Sequence, residues 1–194
     1  VAMESTGSYW KPLYNIMESY GLHVIVVNPA HMKAVPGRKT DVKDAEWIAD
    51  LLQHGLLRAS YIPAKDQREL RELVRYRKSL VGERGRELNR LQKMLEGANI
   101  KLSGTVSDIN GKSARSILEY LLTGASIDSK KYDEMYEQRV IAHNLKASKE
   151  QIIDDLNGVM TPLQRRMMKE LLAHLDELNV HIKNLDDEID NFMK

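Results

Sequence analysis

Apolar positions in the first quarter of the chain follow the pattern of an α/β unit. Residues 1–4 and 22–27 are rich in apolar and β-branched side chains with few charges, which predicts two short strands. Between them, Ser8 can cap a helix that runs to about Tyr20 and ends at Gly21. The helix's predicted inner face is Trp10, Leu13 and Met17. A strand–helix–strand order of this kind favours parallel pairing of the two strands.

A second amphipathic helix is expected after the loop that contains Pro36. Residues 30–34 are predicted to form a short helical turn, and Thr40 or Asp41 then caps a helix that reaches about His54, with Gly55 as its stop. Its predicted inner positions are Ala45, Ile48, Ala49 and Leu52.

Past Pro63 the pattern becomes helical throughout. Leucines at helical spacing predict one long helix from Asp66 to about Glu96. Residues 102–111 are expected to form a loop, and Pro162 is expected to begin a last helix that reaches the C-terminus. Shorter helices are predicted near residues 113–124, 130–145 and 149–156.

The last helix carries an apolar seam at a/d spacing. Such a seam predicts a partner helix. The partner is either the helix 66–96 of the same chain, in an antiparallel hairpin, or a second copy. Arg77 and Arg84 interrupt the long helix's apolar face and would fit the seam poorly, so a homodimer is the favoured prediction. The seam consists of Leu171, Leu175, Leu178, Ile182, Leu185, Ile189 and Phe192.

The composition of the chain excludes several classes of protein. The 194 residues include no cysteine, which excludes a disulfide framework, a zinc ribbon and a thiol nucleophile. No apolar run approaches the roughly 20 residues of a membrane helix, and no signal peptide is visible, so a cytoplasmic protein without membrane contact is expected. The chain begins within a predicted strand and is therefore expected to be a piece of a longer protein.

The near-zero net charge of +1 conceals a basic middle segment and an acidic end. Residues 65–101 hold eleven basic and six acidic side chains, whereas residues 126–194 hold ten basic and fourteen acidic ones. Phosphate backbones attract such a basic segment. A solvated helix with i,i+4 ion pairs explains it equally well. Together with a short basic loop, the candidate phosphate contacts are Arg38, Lys39, Arg68, Arg71, Arg75, Arg77, Lys78, Arg84, Arg86, Arg90 and Lys93.

Three carboxylates are candidates for chemistry. Glu4 ends a predicted strand, while Asp41 and Asp44 stand three apart at the start of a helix and so share one face. Carboxylate oxygens of this kind bind Mg²⁺ or Mn²⁺, as phosphoryl-transfer enzymes require. The alternative is that both aspartates complement the helix dipole and that Glu4 is a surface residue.

A resemblance to a known family supports the first alternative. The segments MESTGSYW (3–10), VVNPAHMKAVPGRKTDVKDAEWIADLLQHGLL (26–57) and IPAKDQRELRELVRYRKSLVGERGRELNRLQKMLEGANIKL (62–102) resemble the DEDD transposases of the insertion-sequence one-ten family. The ESTG and KTDxxDA motifs, in this order and at this distance, are specific. The likeness extends through SDINGKSARSILEYLLTG (107–124) and is looser beyond it.

The resemblance implies a RuvC-like, RNase H-type site in which Glu4, Asp41 and Asp44 are catalytic and hold Mg²⁺ or Mn²⁺. The family's first Asp lies on an earlier strand and its C-terminal domain carries a serine; neither is matched here, so this piece is expected to be inactive alone. The family also implies cutting and joining of DNA, guidance by a non-coding RNA of the element, homo-oligomers formed through the long helices, and a prokaryotic cytoplasm.

The expected architecture is therefore an α/β start with a partial RuvC-like sheet, followed by a mainly α region with long coiled-coil-like helices. The predicted boundaries are 1–64 for the partial catalytic domain and 65–194 for the helical coiled-coil and linker region. The predicted function is that of a transposase fragment for metal-dependent strand cleavage and transfer. The alternative is a helical nucleic-acid-binding or oligomerisation module without chemistry of its own.

Overall fold

The computed structural model describes residues 1–33, 43–106, 108–141 and 147–194, with the side chains of residues 32, 33, 43 and 44 outside the description. It confirms an α/β beginning and a mainly helical remainder with a long helix. The chain divides into two compact units, residues 1–68 and 69–194. The elements in order are β1 Ala2–Glu4, α1 Trp10–Ser19, β2 Ile25–Val27, α2 Pro29–Lys33, α3 Lys43–Gln53, α4 Lys65–Gly97, α5 Leu102–Thr105, α6 Lys112–Leu121, α7 Ser129–Glu137, α8 Lys149–Leu156 and α9 Pro162–Phe192.

In the first unit, β1 and β2 pair in parallel, as predicted, with Glu4 opposite Val27. The segment after α3 returns along the other side of β2, where Ala59 forms an antiparallel bridge with Val27 and the Ser60 amide donates to the Val26 carbonyl over 2.7 Å. β2 therefore lies between two neighbours. Met3, Val26 and Val27 form the buried centre of this unit together with Leu51 from α3.

Two predicted inner faces in this unit are wrong in detail. α1 begins after Tyr9 without a side-chain cap, and Leu13 is 46% exposed. In α3, Ala45 and Ala49 are exposed, whereas Leu51 is buried. The predicted end of α3 is confirmed: Gly55 has φ +67°, the left-handed conformation that glycine adopts readily at a helix C-terminus.

In the second unit, α4 and α9 form an antiparallel helical hairpin. The contacts show that the two helices run in opposite directions. Arg77 contacts Asp186, whereas Arg84, farther along α4, contacts an earlier residue of α9: its Nη1 donates to Asn179 Oδ1 over 3.3 Å. Leu80 packs against Leu178 and Ile182 in a small buried cluster. Farther along, Leu91 and Leu95 join a larger core that α5 to α9 complete.

The hairpin corrects the argument that favoured a second copy as the seam's partner. Arg77 and Arg84 fit the seam because polar side chains of α9 receive them. Most of the predicted seam is thereby covered by α4 of the same chain, and homo-oligomer formation stays a prediction. Residues 102–105, expected to be part of a loop, form the short helix α5.

Candidate catalytic edge and nucleic-acid surface

Glu4 lies at the carboxyl end of β1, where the chain leaves the sheet. Its Oε1 accepts a hydrogen bond from the Thr6 hydroxyl over 2.5 Å, and the residue is half-buried. The following turn is fixed to the sheet because the Ser5 amide donates to the Val27 carbonyl over 3.0 Å. The structure therefore holds one predicted acidic residue at a defined edge of the sheet.

The other two predicted acids are only partly placed. α3 packs against β1, and Asp44 is the second residue of α3, although its side chain is outside the description. Asp41 lies in residues 34–42, outside the described part of the chain, as do Arg38 and Lys39. Across the described residues there is no group of three or more side chains arranged to hold a metal ion. The joint metal site of Glu4, Asp41 and Asp44 stays a prediction.

Arg68 is engaged within the first unit. Its guanidinium donates to the Glu18 carboxylate, to Asn15 Oδ1 over 3.2 Å and to the Pro63 carbonyl over 2.7 Å. It also lies 5.0 Å from the centre of the Tyr14 ring. The hydrogen bond from Arg68 lowers the pKa of Glu18. This predicted phosphate contact thus has a local structural role.

Three further cations of α4 have protein partners. Arg77 is paired with Asp186, and their hydrogen bond lowers the pKa of that aspartate. Arg90 pairs with Glu87, which is 7% exposed. Arg77 and Arg84 lie on the apolar face of α4 because each contacts a polar side chain of α9 in the hairpin.

The remaining cations form a surface that we call the basic stripe. Its members are exposed, and their spacings place them on one face of α4, opposite the face that packs on α9. At 1.5 Å per residue the stripe is about 33 Å long. Between its first and last members the acidic residues are at positions 72, 83 and 87, all to one side of it, and Arg86 touches Glu83 at 3.8 Å. Glu96 follows the stripe on the same face. The basic stripe comprises Arg71, Arg75, Lys78, Arg86 and Lys93.

One further feature was not predicted. A cavity of about 320 Å³ opens at the carboxyl end of β2 and is lined by Asn28, His31, Arg58, Ala59 and Ser60. The dipeptide Asn28-Pro29 marks the end of a strand in the sequence. Only the antiparallel return of residues 58–60 brings a cation beside it.

Comparison with known proteins supplies an independent observation. The model of the IS110-type DEDD transposases, described as "Transposase", matches residues 1–100. A stretch of 71 residues is 41% identical to the curated "Putative transposase y4qE" of Sinorhizobium fredii. That alignment covers 36% of this chain and 18% of the relative, so the chain spans less than a fifth of that protein's length. None of the described helices is long and apolar enough to cross a membrane.

Proposed function

The chain belongs to the IS110 family of DEDD transposases, and from this premise we propose that it combines part of a metal-dependent DNA cleavage site with a helical surface that binds nucleic acid. The single observation that carries the nucleic-acid part is the basic stripe. The proposal for the cleavage part rests on the edge of the sheet at which Glu4 lies.

The donor chemistry of this edge fits a divalent cation. The Glu4 carboxylate stands at the end of a strand, and α3, whose second residue is Asp44, packs on that same strand. Glu4, Asp41 and Asp44 would hold Mg²⁺ or Mn²⁺ because hard cations prefer carboxylate oxygens. When bound, the ion supplies charge stabilisation to phosphoryl transfer. The Thr6 hydroxyl fixes the orientation of the Glu4 carboxylate by donating to Oε1.

The basic stripe is proposed to bind the backbone of the element's DNA and of a guide-like non-coding RNA. Four of its five side chains have no partner within ion-pairing distance among the described residues. The stripe faces away from α9, so phosphates reach it without disturbing the hairpin. Arginine forks suit phosphate oxygens, which explains a stripe that contains three of them.

Homo-oligomer formation is proposed to use surfaces of the long helices that the hairpin leaves uncovered. Within the second unit, Val74 is 46% exposed, Tyr76 is 59% exposed and Phe192 is 38% exposed. These side chains lie near the α4 start and the α9 end. The same region is where the seam is least buried.

The nucleic-acid proposal is tested by the salt dependence of binding. We expect the triple variant Arg75→Gln, Lys78→Gln and Arg86→Gln to bind duplex DNA more weakly, with a log–log salt slope reduced by about 2–3 units, since each neutralised phosphate contributes about 0.9. The matched control is Arg166→Gln with Lys169→Gln, two exposed cations of α9 away from the stripe. An unchanged slope in the triple variant would remove α4 from the interface.

The metal proposal is tested by Mn²⁺ titration of the chain, followed by electron paramagnetic resonance. We expect Glu4→Gln and Asp44→Asn each to weaken Mn²⁺ binding. Glu46→Gln serves as the control because Glu46 is an exposed acid on the same helix as Asp44. Equal loss in all three variants would indicate general charge attraction and would contradict a defined site.

A further inference from the structure

We propose that the cavity at the carboxyl end of β2 is a binding site for a phosphodiester of the bound nucleic-acid strand, with Arg58 as its anion-binding residue. This inference deepens the proposed function and rests on it only for the source of the phosphate. None of the described residues that line the cavity belongs to the predicted metal site or to the basic stripe.

The chemistry of the lining favours an anion. Arg58 supplies a guanidinium, and the described lining residues include no carboxylate. Asn28 Oδ1 is already occupied because it accepts a hydrogen bond from the Ala30 amide over 2.8 Å, which leaves the Asn28 amide hydrogens as donors. The Ser60 hydroxyl adds another donor. Charge-assisted bonds from arginine to phosphate oxygens are among the strong hydrogen bonds in proteins.

His31 gives a way to observe the cavity. Its ring lines the cavity, while its Nε2 is buried and has no hydrogen-bond partner among the described residues. Because Nε2 is closed to solvent, the ring meets the cavity through its other atoms. The ring signals therefore report whether the cavity is occupied, and the anion itself is held by Arg58.

The strand register places the cavity on the same edge as Glu4. Val27 lies between Glu4 on one side and Ala59 on the other, so the next position along the edge puts Arg58 beside Asn28. Neighbouring strands are about 4.8 Å apart. Arg58 is therefore about two strand spacings, roughly 10 Å, from the strand that ends in Glu4. A nucleic-acid strand that bound with its reacting phosphate at the predicted metal site would therefore place a neighbouring phosphate in this cavity.

The volume agrees with such a ligand. Small-molecule sites have volumes of about 300–1,000 Å³. At about 320 Å³ the cavity accommodates a phosphate and part of its sugar, but not a folded nucleic-acid element. We therefore assign it to a single flanking phosphodiester.

The test uses the whole chain and two probes, inorganic phosphate and a short single-stranded thymidine oligonucleotide. Ring signals of His31 are followed by nuclear magnetic resonance during each titration. We expect both probes to shift these signals saturably and Arg58→Gln to weaken phosphate binding about tenfold or more. Ser60→Ala is the second variant, because it removes only a donor and leaves the Ser60 backbone bond to Val26 in place. Arg166→Gln, an exposed cation of α9 outside the basic stripe, is the matched control and should change the affinity less than about twofold.

Phosphate binding that is equal in the wild type and Arg58→Gln would overturn the site. An oligonucleotide that binds the chain without moving the His31 signals would overturn the nucleic-acid assignment. Failure of the proposed function would be seen in other measurements, namely the salt slope of the basic-stripe variants and the Mn²⁺ titrations. The His31 signals report only on the cavity, so the two failures are distinguishable.

Discussion

Replacement of Gly158 by alanine is expected to destabilise the helical unit strongly. Gly158 lies in the connection from α8 to α9, directly against the end of α4. A Cβ atom at this position would lie far inside contact with the Ala98 carbonyl oxygen, 2.5 Å from Ile100 Cγ1 and 2.8 Å from the Asn99 carbonyl carbon. Two of these three atoms belong to the backbone, so rotation of a side chain cannot relieve the overlap.

The magnitude follows from what must move. The Val159 amide donates to the Ala98 carbonyl over 3.0 Å, and the Lys101 amide donates to the Asp155 carbonyl over 2.7 Å. Overpacking costs about 1–3 kcal/mol, and weakening both hydrogen bonds adds about 1 kcal/mol each. The free energy of unfolding should therefore fall by about 3–5 kcal/mol, a large part of the 5–15 kcal/mol typical of a domain.

The assay is urea unfolding followed by circular dichroism, with Gly85→Ala as control. A Cβ at Gly85 has no heavy atom within 4 Å, and the residue lies inside α4, so alanine there should raise stability by about 0.5–1 kcal/mol. In thermal unfolding, Gly158→Ala should lower Tm by roughly 6–20 °C. If Gly158→Ala unfolds within about 0.5 kcal/mol of the wild type while Gly85→Ala behaves as expected, the close approach is refuted.

The remaining predictions concern the hairpin. Leu178→Ala removes a side chain that is 3% exposed from the cluster with Leu80 and Ile182 and should cost about 3 kcal/mol in urea unfolding; a cost below about 1 kcal/mol would contradict the burial. Replacing both Leu178 and Ile182 by Asp should unfold the helices, seen as lost helical circular dichroism, and a folded monomer in sedimentation would contradict this. Because Arg77 lowers the pKa of Asp186, the pair's contribution is present above the ordinary Asp pKa of about 3.9 and is lost as the pH falls through the lower folded value. Urea midpoints should therefore separate Asp186→Asn from the wild type at neutral pH and converge in acid; a constant difference would refute the coupling.

Local chemistry determines where the long helices begin and end. Pro162 begins α9, and Thr161 with Gln164 forms the capping box that satisfies the first free amides. The absence of proline from residues 66–96 predicted α4 within one residue at each end. These features involve groups only a few residues apart, so the sequence alone could specify them.

Some features of the candidate site are likewise visible in the sequence, and others depend on tertiary contacts. The motif containing Glu4 and the run of cations in α4 are visible in the sequence, and the family match agrees with them. The sequence could not separate the basic stripe from Arg68, Arg77 and Arg84, because their side-chain partners lie 50 to 109 residues away in the chain. It also could not show the cavity, since Arg58 reaches Asn28 only through the antiparallel bridge at Ala59.

The apolar seam of α9 shows the limit of what the sequence alone determines. Its a/d spacing determined that Leu175, Leu178 and Ile182 must be covered, and they are buried. Only the tertiary structure decided that α4 of the same chain covers them, because the hydrophobic effect is non-directional and does not select among apolar partners. The selection comes from directional polar contacts, Arg77 with Asp186 and Arg84 with Asn179, which exist only once the two helices lie side by side.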